Sequence, residues 1–462
     1  MPDIFDPVLI FDKFLFSKTF WVNAVLIFCI SLWIKKKWLR SHPLSSYFYP
    51  FLALKLICSL IITYLQFKPG VEIFNIGDSA PFFSIGQLYY FTFLESPIKY
   101  FTQLWNAYPT HPYILNFGEN FYGWMLVQPK VLFFTKVLSL FSILTFGNVM
   151  ATALYFSFVS FLGIWKLVSA LIRSFPRSQY LLIIALFLSP GLLIFSSIIL
   201  KEALVCAGFF FIIGIAINFV FNNRKPKKIE WFFLVIAFFV VFRLKPLYLL
   251  LLIPSVQAYM IFSNGLFYST ETIGKEWLRK LSLFFGMTIA TLLVAFLFIH
   301  PGNFSLLEYI YSEYSVGLND SVGTLHVEYK NLLPTHFSFI KHIPFSFGAV
   351  LFKPFIWECH NATHFVAGIE NFLVLLLSCF AMSGIIFYFF SAKINFISLL
   401  HQKEMHICVL LLLFITTGAV LLGFTTPNFG TLYRYRIIFY PFFVFILLRI
   451  IHKFITHFHA TD

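Results

Sequence analysis

The sequence predicts an all-α polytopic membrane protein: a transmembrane helical bundle of about eleven spans with two long extracytoplasmic loops bearing interfacial helices. Three observations predict it. Of 462 residues, 60% are hydrophobic and 11% charged, with a mean hydropathy of +0.85; a soluble domain carries roughly a quarter charged residues. The apolar residues fall in runs close to the ~20 residues needed to cross the hydrocarbon of a bilayer. None of the runs alternates with the period of a strand, and a spanning segment must satisfy its own backbone groups, so the runs are helices.

In chain order the spans are read at 19–34, 46–66, 148–172, 179–198, 203–222, 230–242, 246–263, 281–299, 366–391, 405–424 and 435–452. The first ends in "WIKKKWLR" without a small-residue cleavage pattern and reads as an anchor. Lys and Arg set the orientation. Lys35, Lys36, Lys37, Arg40, Arg173, Arg177, the run "NNRKPKK" (222–228), Lys275, Arg279, Lys280, Lys393 and Lys403 fall on one side. That side is the cytoplasm, so the N-terminus is outside and the C-terminus inside. The segment 131–146 contains Lys136 and is short, and reads as an interfacial helix. Lys55 and Lys166, near predicted span ends, read as snorkelling side chains.

This segmentation puts residues 67–147 and 300–365 outside, on a single membrane domain covering 1–462. Loops of that length beside short turns usually carry function. The formal charge of +14 fits basic cytoplasmic turns against anionic headgroups rather than nucleic acid. The six cysteines show no disulfide framework, and neither they nor the histidines have metal spacing.

Charges are few at the outer face, so each can be weighed. Asp78 opens the first loop; Lys201 and Glu202 lie in "SSIILKEAL" (196–204), and Arg243 and Lys245 in "FRLKPLY" (242–248). Lys353, Glu358 and Glu370 lie in "KPFIWECHNATHFVAGIEN" (353–371), and Arg434 and Arg436 in "TPNFGTLYRYR" (426–436). Charges beside apolar spans tend to face a cavity or a partner. Guanidinium forks match phosphate oxygens, and a carboxylate among them can take a proton from a hydroxyl. Outside the cytoplasm an activated sugar has to arrive on a lipid phosphate. Asp78 and Glu202 are therefore the candidate catalytic carboxylates, and Lys201, Arg243, Lys245, Glu358, Arg434 and Arg436 the candidate substrate-binding groups. Asp78 also suits a helix N-cap. No metal ligands are assigned; no cofactor is named, and a divalent cation stays open.

The stretch "IGDSAPFFSIGQLYY" (76–90), two apolar segments followed by a glycine-flanked acidic residue and aromatics, resembles GT-C-type integral-membrane glycosyltransferases, in particular the lipid-linked mannosyl and aminoarabinosyl transferases. The resemblance implies an acidic residue of the first loop as catalytic base, here Asp78, and a bacterial inner-membrane enzyme of surface-polysaccharide synthesis. Its donor would be a polyprenyl-phosphate-linked sugar and its acceptor a glycan, lipid or protein. The pattern departs from the family's where Ser79 stands in place of a second acidic residue. Two other readings fit the layout: an O-antigen or exopolysaccharide polymerase, in which the arginines dominate, and a lipid-linked glycan flippase.

Overall fold

In a computed structural model of the chain, residues 17–38, 44–67, 78–105, 128–252, 306–321, 323–391 and 403–458 are described. Among them the protein is helical, without a strand; a lone bridge joins His326 to Asn428. The helices are α1 (Lys18–Trp38), α2 (Phe48–Phe67), α3 (Ser79–Glu95), α4 (Pro97–Trp105), α5 (Pro129–Leu144), α6 (Val149–Ser174), α7 (Gln179–Phe187), α8 (Pro190–Phe195), α9 (Lys201–Val220) and α10 (Lys228–Leu244). They continue as α11 (Leu306–Asn319), α12 (His336–Phe352), α13 (Ala362–Ser391), α14 (Lys403–Thr425), α15 (Phe429–Tyr435) and α16 (Tyr440–Phe458).

Six stretches are long and apolar enough to cross a membrane: Lys18–Lys37, Ser45–Phe67, Val149–Ser174, Lys201–Val220, His364–Phe387 and Glu404–Thr425. Two bent pairs raise the number to eight among the described residues: Lys228–Leu244 with Pro246–Leu252 (113°) and Phe429–Ile438 with Tyr440–Thr456 (66°). The protein is thus a multi-pass membrane protein.

The expected segment 179–198 is not one helix. It breaks at Leu188–Ser189 and again after Phe195. Pro190 explains the first break: it has no N–H to donate and disfavours helical geometry at the preceding residue, while suiting the first position of a new helix. Pro246 produces the 113° bend by the same means. The expected span 281–299 lies outside the described residues. Within 300–365 the described chain is largely helical: α12 is capped by the Thr335 side chain, which accepts from Ser338 N, and packs along α14.

The chain divides into two compact units. Unit 1 is Met1–Ala170, Leu193–Phe219 and Arg224–Lys245; unit 2 is Leu171–Leu192, Val220–Asn223 and Pro246–Asp462. Hydropathy does not reveal this division, because the units are interleaved along the chain. In unit 1, α5 packs along α3 and α10. The backbones of α6 and α9 approach closely at Gly163, where an added Cβ would stand 2.3 Å from the Ala207 carbonyl oxygen. Small residues permit such approach where lipid supplies no hydrophobic driving force. In unit 2, α16 packs against both α13 and α7.

Candidate functional site

Asp78 occupies the N-cap position of α3, with φ −90° and ψ 22°. Its backbone carbonyl accepts from Phe82 N at 3.0 Å, and its side chain makes no capping hydrogen bond. Pro81 is tolerated in this first turn because N–H groups there have no helical acceptor. One turn on, Phe82 is 1% exposed and packs edge-to-face on Phe134 of α5, with ring centroids 5.2 Å apart. The Lys201 ammonium stands 4.7 Å from the centre of the Phe82 ring, a cation–π arrangement strengthened by desolvation. Lys201 and its neighbour Glu202 are both buried and open α9. The N-terminal dipole of a helix favours Glu202 there and disfavours Lys201. Unit 1 thus sets Lys201, with Glu202 next to it, against the Phe82 ring one helical turn from Asp78.

The other two candidates of unit 1 lie at the C-terminal end of α10. The exposed Arg243 guanidinium is 5.6 Å from the centre of the Phe133 ring. Burial, and next the Arg243 charge, lower the affinity of Lys136 for its proton; the Lys136 ammonium donates to Leu104 O at 2.9 Å. Lys245 caps the end of α10, its N–H donating to Val241 O at 2.8 Å.

The approach to Lys201 is held by side chains of α2 and α6. Residues 196–200 are non-helical. Lys55 of α2 donates to Ser196 Oγ at 2.5 Å and Ser197 Oγ at 3.1 Å. Ser160 Oγ of α6 donates to Ser196 O at 2.5 Å, and Ser157 Oγ to Lys55 O at 3.2 Å. Lys55 does not snorkel: it is 2% exposed, on the same buried stripe of α2 as Ser59 and Thr63. Lys166 does not snorkel freely either, being paired with Glu230.

In unit 2, Glu358 pairs with Lys353 at 2.9 Å and accepts from Phe355 N at 2.9 Å, closing a short turn. Arg434 is buried, 5.3 Å from the centre of the Tyr435 ring. Arg436 is 1% exposed and donates to Val350 O at 2.8 Å and to Asn371 Oδ1. Its guanidinium also lies 4.1 Å from the Tyr440 ring and 4.7 Å from the Tyr433 ring. A substrate phosphate would have to displace protein acceptors from Arg436, so in this arrangement it is a brace.

Its neighbour Glu370 was legible as a charge at the start of a span, yet no site role followed from the sequence. Its carboxylate accepts from Ser189 Oγ at 2.8 Å, Gly191 N at 3.2 Å and Tyr433 Oη at 2.5 Å. Tyr433 thus stands between the buried carboxylate and the Arg436 guanidinium. An ionisable residue within an apolar helix was the available signal; its partners, 179 to 181 and 63 positions away in sequence, were not.

Among the described residues no group of three or more His, Cys, Asp or Glu side chains is placed to hold a metal ion, and all six cysteines are free thiols. A scan against protein-family models and searches of curated proteins and of solved structures give no match to this chain.

Proposed function

We propose that this protein is a membrane glycosyltransferase of the GT-C type. It moves a sugar from a polyprenyl-phosphate or polyprenyl-diphosphate donor to a hydroxyl of a glycan, lipid or protein acceptor. The site faces the extracytoplasmic side of a bacterial inner membrane, with about eleven crossings and the segments 67–147 and 300–365 outside. The observation that carries this reading is the cluster in unit 1. The Asp78 carboxylate, at the N-cap of α3, lies one turn from the aromatic ring that faces the Lys201 ammonium, beside Glu202.

Asp78 takes the proton from the acceptor hydroxyl, whose oxygen attacks the anomeric carbon. The bond from that carbon to the phosphate oxygen breaks, its electron pair staying on the lipid phosphate, and direct attack inverts the anomeric centre. Lys201, with Arg243 and Lys245, stabilises the charge that gathers on the departing phosphate; Glu202 sets the charge balance beside Lys201. In unit 2 the sequence marks Arg434 for phosphate recognition, whereas Arg436 and Glu358 are engaged by protein partners.

The test is glycan assembly in a host whose own copy is deleted, at matched protein level. Asp78→Asn is expected to lower product formation by about 100-fold or more. Unchanged product from Asp78→Asn, with loss from Arg434→Ala, would replace this reading with the polymerase. Labelling of a cysteine at position 78 only from the cytoplasmic side would end it.

A further inference from the structure

The irregular stretch 196–200 ends at Lys201, so whatever holds that stretch sets where the ammonium and the Glu202 carboxylate stand. Two helices hold it. Lys55 engages both serine hydroxyls, Ser196 Oγ at 2.5 Å and Ser197 Oγ at 3.1 Å, and Ser160 engages the backbone carbonyl of Ser196. Ser157 ties Lys55's own carbonyl to α6, which closes the arrangement. A buried cation near the middle of an apolar helix is expensive and tends to serve a function. Yet Lys55 is seated on two neutral hydroxyls of a turn rather than on a carboxylate, in a helix that needs no such group to span a membrane.

We infer that Lys55 is a positioning residue for the proposed transfer reaction: it locks the turn 196–200 and so fixes Lys201 and Glu202 beside Phe82 and Asp78. This inference rests on the function proposed above.

Two readouts test it, one independent of catalysis. In full-length protein with the six native cysteines replaced, Ala203→Cys reports on the turn, because Ala203 is fully buried directly after Glu202. Lys55→Met is expected to raise its modification rate by a thiol reagent at least about tenfold in detergent. A cysteine at the equally buried Ala419 of unit 2 should stay protected. In transfer assays with a polyprenyl-phosphate-linked sugar, Lys55→Met should lower kcat by about tenfold or more. Lys55→Arg, which keeps donors for both hydroxyls, should restore most of the rate. Replacing Ser196 and Ser197 together by Ala should reproduce the loss and add little to Lys55→Met, as expected for groups acting as a unit.

Protection of Ala203→Cys unchanged in Lys55→Met overturns the inference. So does equal exposure of the Ala419 probe, which would make Lys55 a general fold element, and so does full activity in Lys55→Met while Asp78→Asn is inactive. If Asp78→Asn is itself fully active, the transferase reading fails, and the labelling result alone still decides whether Lys55 holds the turn.

Discussion

Two buried charges grip the same broken stretch of chain, and they do so differently. Glu370 in unit 2 holds Ser189 and Gly191; Lys55 in unit 1 holds Ser196 and Ser197. The carboxylate receives a backbone N–H, a serine hydroxyl and a phenol, and that phenol's ring faces the Arg436 guanidinium. The lysine meets two neutral hydroxyls. The first grip is a network in which buried opposite charges are linked through shared groups, as stability requires of ions withdrawn from water. The second places a charge where hydroxyls could have satisfied each other, which suits a part that must be set accurately next to a reacting group.

The comparison can be broken at its strongest point first. Arg436→Leu removes the donor to Val350 O and Asn371 and leaves Glu370 without its nearby counter-charge; it is expected to cost about 3–5 kcal/mol. Thermal unfolding of the detergent-purified protein would register this, and a loss below about 1 kcal/mol would show that unit 2 is not braced through Arg436. Glu370→Gln keeps the shape but turns an NH2 group toward one of the three donors. A loss of about 1.5–3 kcal/mol is expected, against about 1 kcal/mol for Lys55→Met, which takes from each partner hydroxyl only an accepted hydrogen bond. The reverse order would erase the distinction drawn here.

Gly191→Ala sharpens the same contrast. The added Cβ would meet Glu370 Oε2 and the Tyr433 ring, each at 3.2 Å. These neighbours are held by one another, so a loss of about 1 kcal/mol is expected rather than none. The smallest effect belongs to the stripe beside Lys55. Among the described residues the Ser59 and Thr63 hydroxyls are buried without a hydrogen-bond partner. Ser59→Ala and Thr63→Val should therefore leave unfolding within about 0.5 kcal/mol of the parent or raise stability slightly. A large loss from either would reveal a bonded role for that hydroxyl.

The class of the protein was legible because apolar runs of spanning length mean little else in a chain this poor in charge. The breaks were not. Hydropathy passes smoothly through Leu188–Ser189, where proline geometry and buried polar partners end the helix. The helix α12 was hidden within a presumed loop by His336, Lys341, His342 and Pro344, which interrupt its apolar pattern. Lys201 and Glu202 could be chosen from the sequence as an adjacent charged pair, but the Phe82 ring facing the lysine could not, nor could Lys55 beneath the turn. Arg436 was marked for its charge, while its engagement by Val350 O and Asn371 depends on segments 65 and 86 positions away.

The interleaving of the two units bears on biogenesis. Ser189 leaves the ribosome 181 residues before Glu370, its hydrogen-bond partner, and Tyr433 emerges later still. For that interval the nascent protein holds a broken helix in the insertion machinery without the carboxylate that seats it. Synthesis therefore passes through a partly assembled species whose exposed polar backbone needs shelter from lipid. Expression strains poor in membrane insertases should accumulate degraded chain truncated before residue 370.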